Sequence, residues 1–436
     1  MKNWILGGAA CAALMGLAQP AFAAASSELP TSDSRADGID QAVSGFYASR
    51  SNAPLWLNAA QDFAAAREFI AALRRASLDG LASGPALAAD LDAKLARAVA
   101  GDPAARAGAE RLLSTAWTLY VSALQTPTTG MTVADNWVAP RRDTPGQILA
   151  RAAAAGSLAG HVRAVSGVNP VYAQLRDAAW NSAQATGGQA DARVLASLDR
   201  ARAMPFQKRY VMVDAASARL FMIENGRIAD SMKVIVGTPE APTPMLASTI
   251  YFATVNPYWH VTPELVRSLI APNVLQQGVS YLQRQGYQVQ SAAAEADAVI
   301  DPATIDWNAV ADGRQQVRVR QLPGPANSMG RVKFGFPNAG DIYLHDTPVK
   351  EKFAAADRSL SHGCIRLEDA QRLERWMLNG ASAPISDAPE QHIQLPTPVP
   401  IFITYLTAQS EGGQLSFVSD VYGRDATHSS QVAALR

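Results

Sequence analysis

The chain has 436 residues, 38 Lys and Arg against 38 Asp and Glu, and two cysteines. That length predicts two domains, and 48% hydrophobic with 17% charged residues excludes wholesale disorder. Zero net charge removes the basic excess of a nucleic-acid binder, while two cysteines exclude a disulfide scaffold and argue against a structural zinc cluster.

Residues 1–23 combine Lys2, a short apolar core through Leu6, Leu14 and Leu17, and Ala21-Phe22-Ala23, the pattern of an export signal peptide. A membrane anchor is the weaker reading, because the glycine-diluted run ends at Pro20, short of the roughly 20 residues that a span needs. Removal after Ala23 also removes Cys11, leaving Cys364 as the one cysteine of an exported chain, with no internal disulfide partner. Residues 24–38 are small and polar and read as a flexible leader.

From 39 to 204 the pattern is helical. Phe63, Ala66, Phe69, Ile70 and Leu73 repeat at helical spacing over 61–76, as do Leu112, Leu113, Ala116, Leu119, Tyr120 and Leu124 over 109–124. These predict the core faces of a helical bundle without chemistry of its own. Near residue 209 the period changes. Tyr210–Val213 and Arg219–Ile223 read as strands, and Asn225-Gly226 supplies a tight hairpin into 227–236. Further strands are predicted at 249–255, 316–321, 331–336, 341–345, 400–406 and 415–422, giving a mostly antiparallel β domain. An insertion over 257–315 interrupts it, with Thr262-Pro263-Glu264 as a helix start and scattered aromatics. It reads equally as a lid and as a packing appendage. Residues 381–400 read as a Pro-rich connection and 426–436 as a polar tail.

The chemistry gathers at Cys364. Alternation over Asp341–His345 puts Ile342 and Leu344 on one face and Tyr343 and His345 on the other. Cys364 follows inside Ser361-His362-Gly363-Cys364-Ile365-Arg366, where glycine frees the backbone for a tight turn, and a helix opens near Glu368 and Asp369. A free thiol has a pKa near 8.5, so a nucleophilic cysteine needs a base or cation beside it. A histidine within reach serves, provided an acceptor orients its other nitrogen. Acyl transfer also needs oxyanion donors, and the N–H groups around Gly363 and Cys364 are the natural ones.

His345-Asp346-Thr347 followed by Ser361–Arg366 resembles the signature of the L,D-transpeptidase (YkuD) family. The flanks are similar to its long periplasmic, YcbB-like branch: Val234–Gly237 with Thr243-Pro244, Asn256–Trp259, Pro323–Gly330 and Lys333–Asn338. Pro54–Leu57 and Asn169–Tyr172 extend the resemblance more loosely into the first half. It implies an α+β protein, with an N-terminal α-helical scaffold domain over 39–204 and a mostly β catalytic domain over 205–425 that carries a lid-like capping insertion over 257–315.

By that resemblance Cys364 is the nucleophile and His345 its general base. Asp346 orients the base through its carbonyl, and His362, Gly363 and Cys364 frame the oxyanion site. Ser361 shapes the turn and with Tyr343 and Arg366 is a candidate substrate contact, while for Tyr258 and Trp259 contact with the stem peptide and simple packing both stay open. For Arg366 a substrate carboxylate and a salt bridge to Glu368 or Asp369 both stay open. The implied reaction is attack on the meso-diaminopimelate–D-Ala bond of a donor tetrapeptide stem, a thioester, and transfer to an acceptor amine, diaminopimelate or L-Ala. Its partners are peptidoglycan stem peptides in the periplasm, with no nucleic acid, cofactor or metal and no membrane segment after signal cleavage. A peptidoglycan-binding module is common in long members, but 175–208 is too short to hold one, which leaves the cross-link type open. The competing readings are an L,D-carboxypeptidase, a non-catalytic wall-binding scaffold, and a zinc site built from His345, Asp346, His362 and Cys364, whose spacing lacks a familiar zinc pattern.

Overall fold

The computed structural model describes residues 32–58, 63–126, 128, 130–187, 190–204, 207–291, 298–383 and 387–426. The expected signal peptide, the leader through residue 31 and residues 427–436 of the expected tail lie outside these. Helices α1 (Ser32–Ala48), α2 (Ala64–Arg74), α3 (Gly84–Val99) and α4 (Pro103–Leu124) come first. After a short strand β1 (Thr132–Val133) follow α5 (Pro145–Ala154), α6 (Leu158–Gly167), α7 (Pro170–Thr186) and α8 (Ala192–Arg202). Three of these starts share one device. Asp102, Thr144 and Asn169 each accept a backbone N–H from the first turn, and each precedes a proline whose missing N–H leaves nothing unsatisfied there. The predicted stripes on α2 and α4 face the core, with Ala66, Phe69, Ile70, Leu73, Leu113 and Tyr120 buried. The leader expectation is corrected at its end: 32–38 are helical. Buried Ile39, Val43 and Tyr47 fix α1, and further turns add onto a formed helix at little entropic cost.

The second part opens with β2 (Arg209–Asp214), β3 (Arg219–Glu224), β4 (Arg227–Gly237) and β5 (Leu246–Val255). The β3–β4 hairpin turns at Asn225 (φ 50°) and Gly226 (φ 76°), the left-handed pair that its sequence predicts. Next comes the insertion: β6 (Trp259–Val261), α9 (Pro263–Leu265), α10 (Ala271–Gln277), α11 (Ser280–Arg284), β7 (Tyr287–Ser291), α12 (Trp307–Ala311) and β8 (Val317–Gln321). β9 (Val332–Gly335), β10 (Tyr343–His345), β11 (Ser359–Ser361), β12 (Ile365–Leu367), α13 (Ala370–Met377), β13 (Gln391–Thr404), β14 (Ala408–Glu411) and β15 (Gln414–Phe417) complete it.

The main sheet runs β1-β5-β13-β2-β3-β4-β12-β10-β9, and the β9–β5 pairing closes it on itself. Most pairings are antiparallel, while β1–β5, β13–β2, β10–β12 and β11–β4 are parallel. Val211, Val213, Val234, Leu344, Ile365 and Ile401 fill the inside, and α13 adds Leu373 and Met377. Three expectations are corrected. The strand at 316–321 pairs with β6 and β7 inside the insertion, not with the main sheet, because the insertion closes its own core on Val261, Val289 and Val319. From Gln391 the Pro-rich connection is strand, paired along β5 with the ladder interrupted between Gln394 and Val399. The last strand ends at Phe417, short of the expected residue 422.

Candidate active site

The parallel register of β10 and β12 builds the site. Leu344 faces Ile365 and His345 faces Arg366. Leu344 and Ile365 are fully buried in the barrel, so alternation turns Tyr343, His345, Cys364 and Arg366 to the opposite face. That face borders a cleft of about 900 Å³, also lined by Tyr258, Trp259, Ser361, His362 and Asp341. Tyr258, Trp259 and α9 belong to the insertion, which therefore both packs its own core and walls the cleft.

The turn carrying Cys364 is pinned from within. Ser361 Oγ, buried, donates to the Cys364 carbonyl at 2.6 Å and accepts the Gly363 N–H at 3.2 Å. Gly363 sits at φ 106°, a conformation that a side chain disfavours. The Gly363 N–H thus donates within the turn. Thr243, fully buried, accepts the Gly237 N–H at 2.9 Å and donates to the Gly363 carbonyl at 2.8 Å. His362 is exposed at the rim.

His345 is buried, and its Nδ1 lies 2.6 Å from the Asp346 carbonyl. The Asp346 carboxylate is engaged elsewhere, accepting the Arg331 N–H at 2.9 Å and pairing with Lys350 at 2.7 Å. A Cβ on Gly330 would collide with that carboxylate, which accounts for the glycine of Ser328-Met329-Gly330. Burial, helped by the Arg366 guanidinium, holds the imidazole pKa down at about 4, against the opposing pull of the Asp346 and Ser328 backbone. Burial also pushes the Cys364 thiol above its usual value, and the Asp341 carboxylate acts in the same direction, while the Tyr343 N–H and Arg366 oppose. The Sγ contact is with the Asp341 carbonyl, at 3.6 Å.

Arg366 makes no ion pair with Glu368 or Asp369. Glu368 takes the Lys233 N–H, and Asp369 caps α13 through the Arg372 N–H. Burial lowers the guanidinium pKa and the Cys364 thiolate would raise it. Tyr343 is half-buried, its hydroxyl pushed up to about 12 by burial and by Asp341. Arg320 lies over the Tyr258 ring at 4.5 Å, and the Tyr258 N–H donates to Glu390, which also pairs with Lys333 at 3.1 Å. Among the described residues no cluster of His, Cys, Asp and Glu is arranged to hold a metal ion, and no helix is long and apolar enough to cross a membrane.

Sequence reasoning passed over three residues that build this site. Thr243 stood out only as part of a motif, since its partner is 120 positions away. Asn327 joins the two roots of the insertion, donating to the Pro257 and Leu322 carbonyls at 2.9 Å each. Asp341 gave no signal beyond its place before the β10 strand.

Residues 208–401 match the family of the L,D-transpeptidase catalytic domain (YkuD), and residues 41–178 match the Scaffold domain family. A protein of Haemophilus influenzae named "Putative L,D-transpeptidase" is 30% identical over 233 residues, 52% of this chain and 46% of that protein. The chain thus spans about half the length of that curated relative. Similar solved structures include an L,D-transpeptidase from Mycobacterium smegmatis, at 12% identity, 45% of this chain, 58% of that one and a TM-score of 0.22. L,D-transpeptidase 3 from Mycobacterium tuberculosis, in complex with a faropenem-derived adduct, is 14% identical over 45% of this chain and 60% of that one, with a TM-score of 0.23. The helical part of the chain thus matches the Scaffold domain and the β part the YkuD L,D-transpeptidase catalytic domain.

Proposed function

We propose that the chain is a peptidoglycan L,D-transpeptidase exported to the periplasm, with Cys364 as its nucleophile and His345 as its base. One observation carries the reading: the thiol and a buried imidazole share one face of the β10–β12 pair, and the Asp346 carbonyl fixes the imidazole through Nδ1. With Nδ1 donating there, Nε2 keeps its lone pair for a proton. Cys364 attacks the diaminopimelate–D-Ala carbonyl, His345 relays the thiol proton to the leaving amine, and a thioester remains. The backbone N–H of Cys364 is the donor that we assign to the oxyanion, with the Gly363 N–H held inside the turn. Arg366, free of Glu368 and Asp369 and facing the cleft, is assigned to a donor carboxylate. Tyr258, Trp259 and Tyr343 are assigned to the stem peptide along the wall of the insertion.

The test is purified enzyme with disaccharide-tetrapeptide, read by mass spectrometry. The expected product is a dimer formed with loss of D-Ala, absent from Cys364→Ala. A carbapenem is expected to add covalently to the wild type and not to the variant. Tripeptides without dimers would sink the transferase reading in favour of hydrolysis by the same residues.

A further inference from the structure

A carboxylate stands where thiolate formation is least served by one. Asp341 lines the reactive cleft, its carbonyl touches Cys364 Sγ, and its negative charge works against the thiolate. The loop is built to present it. Asp341 adopts φ 49°, left-handed backbone that non-glycine residues rarely take. Asn338 holds it from below: its Oδ1 accepts the N–H groups of Gly340 at 3.1 Å and Ile342 at 2.9 Å, and its Nδ2 donates to the Phe336 and Ile342 carbonyls. Asp takes this conformation more readily than most residues, and here the turn brings it to the cleft.

The charges along the cleft say what it serves. Asp341 lies just before the β10 strand with its carbonyl 3.6 Å from Cys364 Sγ, and Arg366 is paired with His345 on the neighbouring strand. Arg366 and Asp341 thus bring a cation and an anion to the cleft that holds Cys364, whose wall also carries Lys333 and Glu264. We propose that Asp341 docks the ammonium group of the acceptor stem, so that the cleft takes a donor carboxylate at Arg366 and an acceptor amine at Asp341. The proposal rests on the transpeptidase reading and adds its missing half, the recognition of the second substrate. Once the donor is a thioester on Cys364, the docked ammonium gives one proton to the Asp341 carboxylate. The amine nitrogen then attacks the thioester carbon. A C–N bond forms and the C–S bond breaks; the second proton leaves the nitrogen through His345 to the departing Cys364 sulfur, and Asp341 releases the first to solvent. An anion at this place favours docking of a cationic amine, deprotonated only as it attacks, over neutral water.

The titratable and charged groups that line the cleft with Cys364 are Tyr258, His260, Glu264, Lys333, Tyr343, His345, His362, Arg366 and Asp341 itself, and Asp341→Asn removes one charge from that set while keeping the side-chain shape. Two readouts are expected to move in opposite directions. Iodoacetamide labelling of Cys364 at pH 7 becomes about threefold faster, because a nearby negative charge is gone. The ratio of dimer to tripeptide falls about tenfold, and the KM for added meso-diaminopimelate rises, as loss of a charged partner requires. Asp341→Glu restores most of the ratio. An unchanged ratio in Asp341→Asn, with wild type making dimer, overturns the docking proposal alone. Labelling that slows together with the ratio overturns it in favour of a structural role. A wild type that forms no dimer with any amine overturns the transpeptidase reading and this proposal with it.

Discussion

At the scale of single residues burial disfavours charge on both members of the proposed pair. Burial pushes Cys364 up and holds His345 down at about 4, so the resting site stores a thiol and an imidazole, not an ion pair. Charge then develops only as substrate arrives, where the fixed Asp346 carbonyl and the Arg366 guanidinium are already in place. Iodoacetamide labelling of Cys364 is therefore expected to rise about tenfold per pH unit up to pH 8.5 or beyond. A plateau between about pH 5 and 8 would mean a preformed thiolate–imidazolium pair and would refute this. The same imidazole sets a stability window. Its folded pKa lies below the ordinary 6.5, so on acidification the unfolded chain takes up the proton first. The stability it contributes is whole above pH 6.5 and is lost as pH falls through about 4. His345→Gln should flatten that part of the urea-unfolding profile.

Among the elements, the turn at 361–364 depends on a loop far away in sequence. Thr243 Oγ1 satisfies both the Gly237 N–H and the Gly363 carbonyl. Thr243→Val would strand both in a dry interior, at about 1–3 kcal/mol, and should slow Cys364 acylation by a carbapenem. Thr243→Ser keeps the hydroxyl and should restore both. Equal behaviour of the two variants would remove Thr243 from the support of the nucleophile. This loop also marks the limit of what the sequence makes legible. Asn225-Gly226, the stripes on α2 and α4 and the turn at Ser361–Cys364 are local, written in neighbours a few positions apart, and they read correctly. β13 did not, because Pro396, Pro398 and Pro400 are strand breakers by composition. In the fold Pro396 and Pro398 fall where the β5 ladder is interrupted, and Pro400 precedes the first residue paired with β2. No proline is asked for an N–H there. Thr243, Asn327 and Asp341 act through contacts or a backbone conformation that no spacing rule encodes.

For the whole molecule, the helical part and the barrel share one core, in which Tyr210, Met212, Phe402 and Leu406 pack with Leu149, Val194 and Leu198. Polar contacts seal that junction. Arg200 of α8 is almost wholly buried and donates to the Tyr405 carbonyl at 3.0 Å, the Asp425 carboxylate at 2.7 Å and the Arg424 carbonyl at 2.8 Å. Ser197 accepts the Ala408 N–H at 3.0 Å. The segment that Arg200 grips runs back to the reactive turn. Arg424 donates to the Thr243 carbonyl at 2.9 Å, and the Tyr422 hydroxyl to the Gly237 carbonyl at 2.6 Å. Two parts joined this way should unfold as one cooperative unit, with far-UV circular dichroism and tryptophan fluorescence giving coincident transitions. Arg200→Met leaves Asp425 and two carbonyls without their buried cation, a loss of about 3–5 kcal/mol. The midpoint of the single transition should drop, and cleavage between 418 and 426 by a low concentration of protease should increase. If the helical part were only a tether, the variant would melt in two steps with the barrel transition unmoved. Slower carbapenem acylation in folded Arg200→Met at 25 °C would further show that the scaffold, through this C-terminal strap, holds the turn on which Cys364 stands.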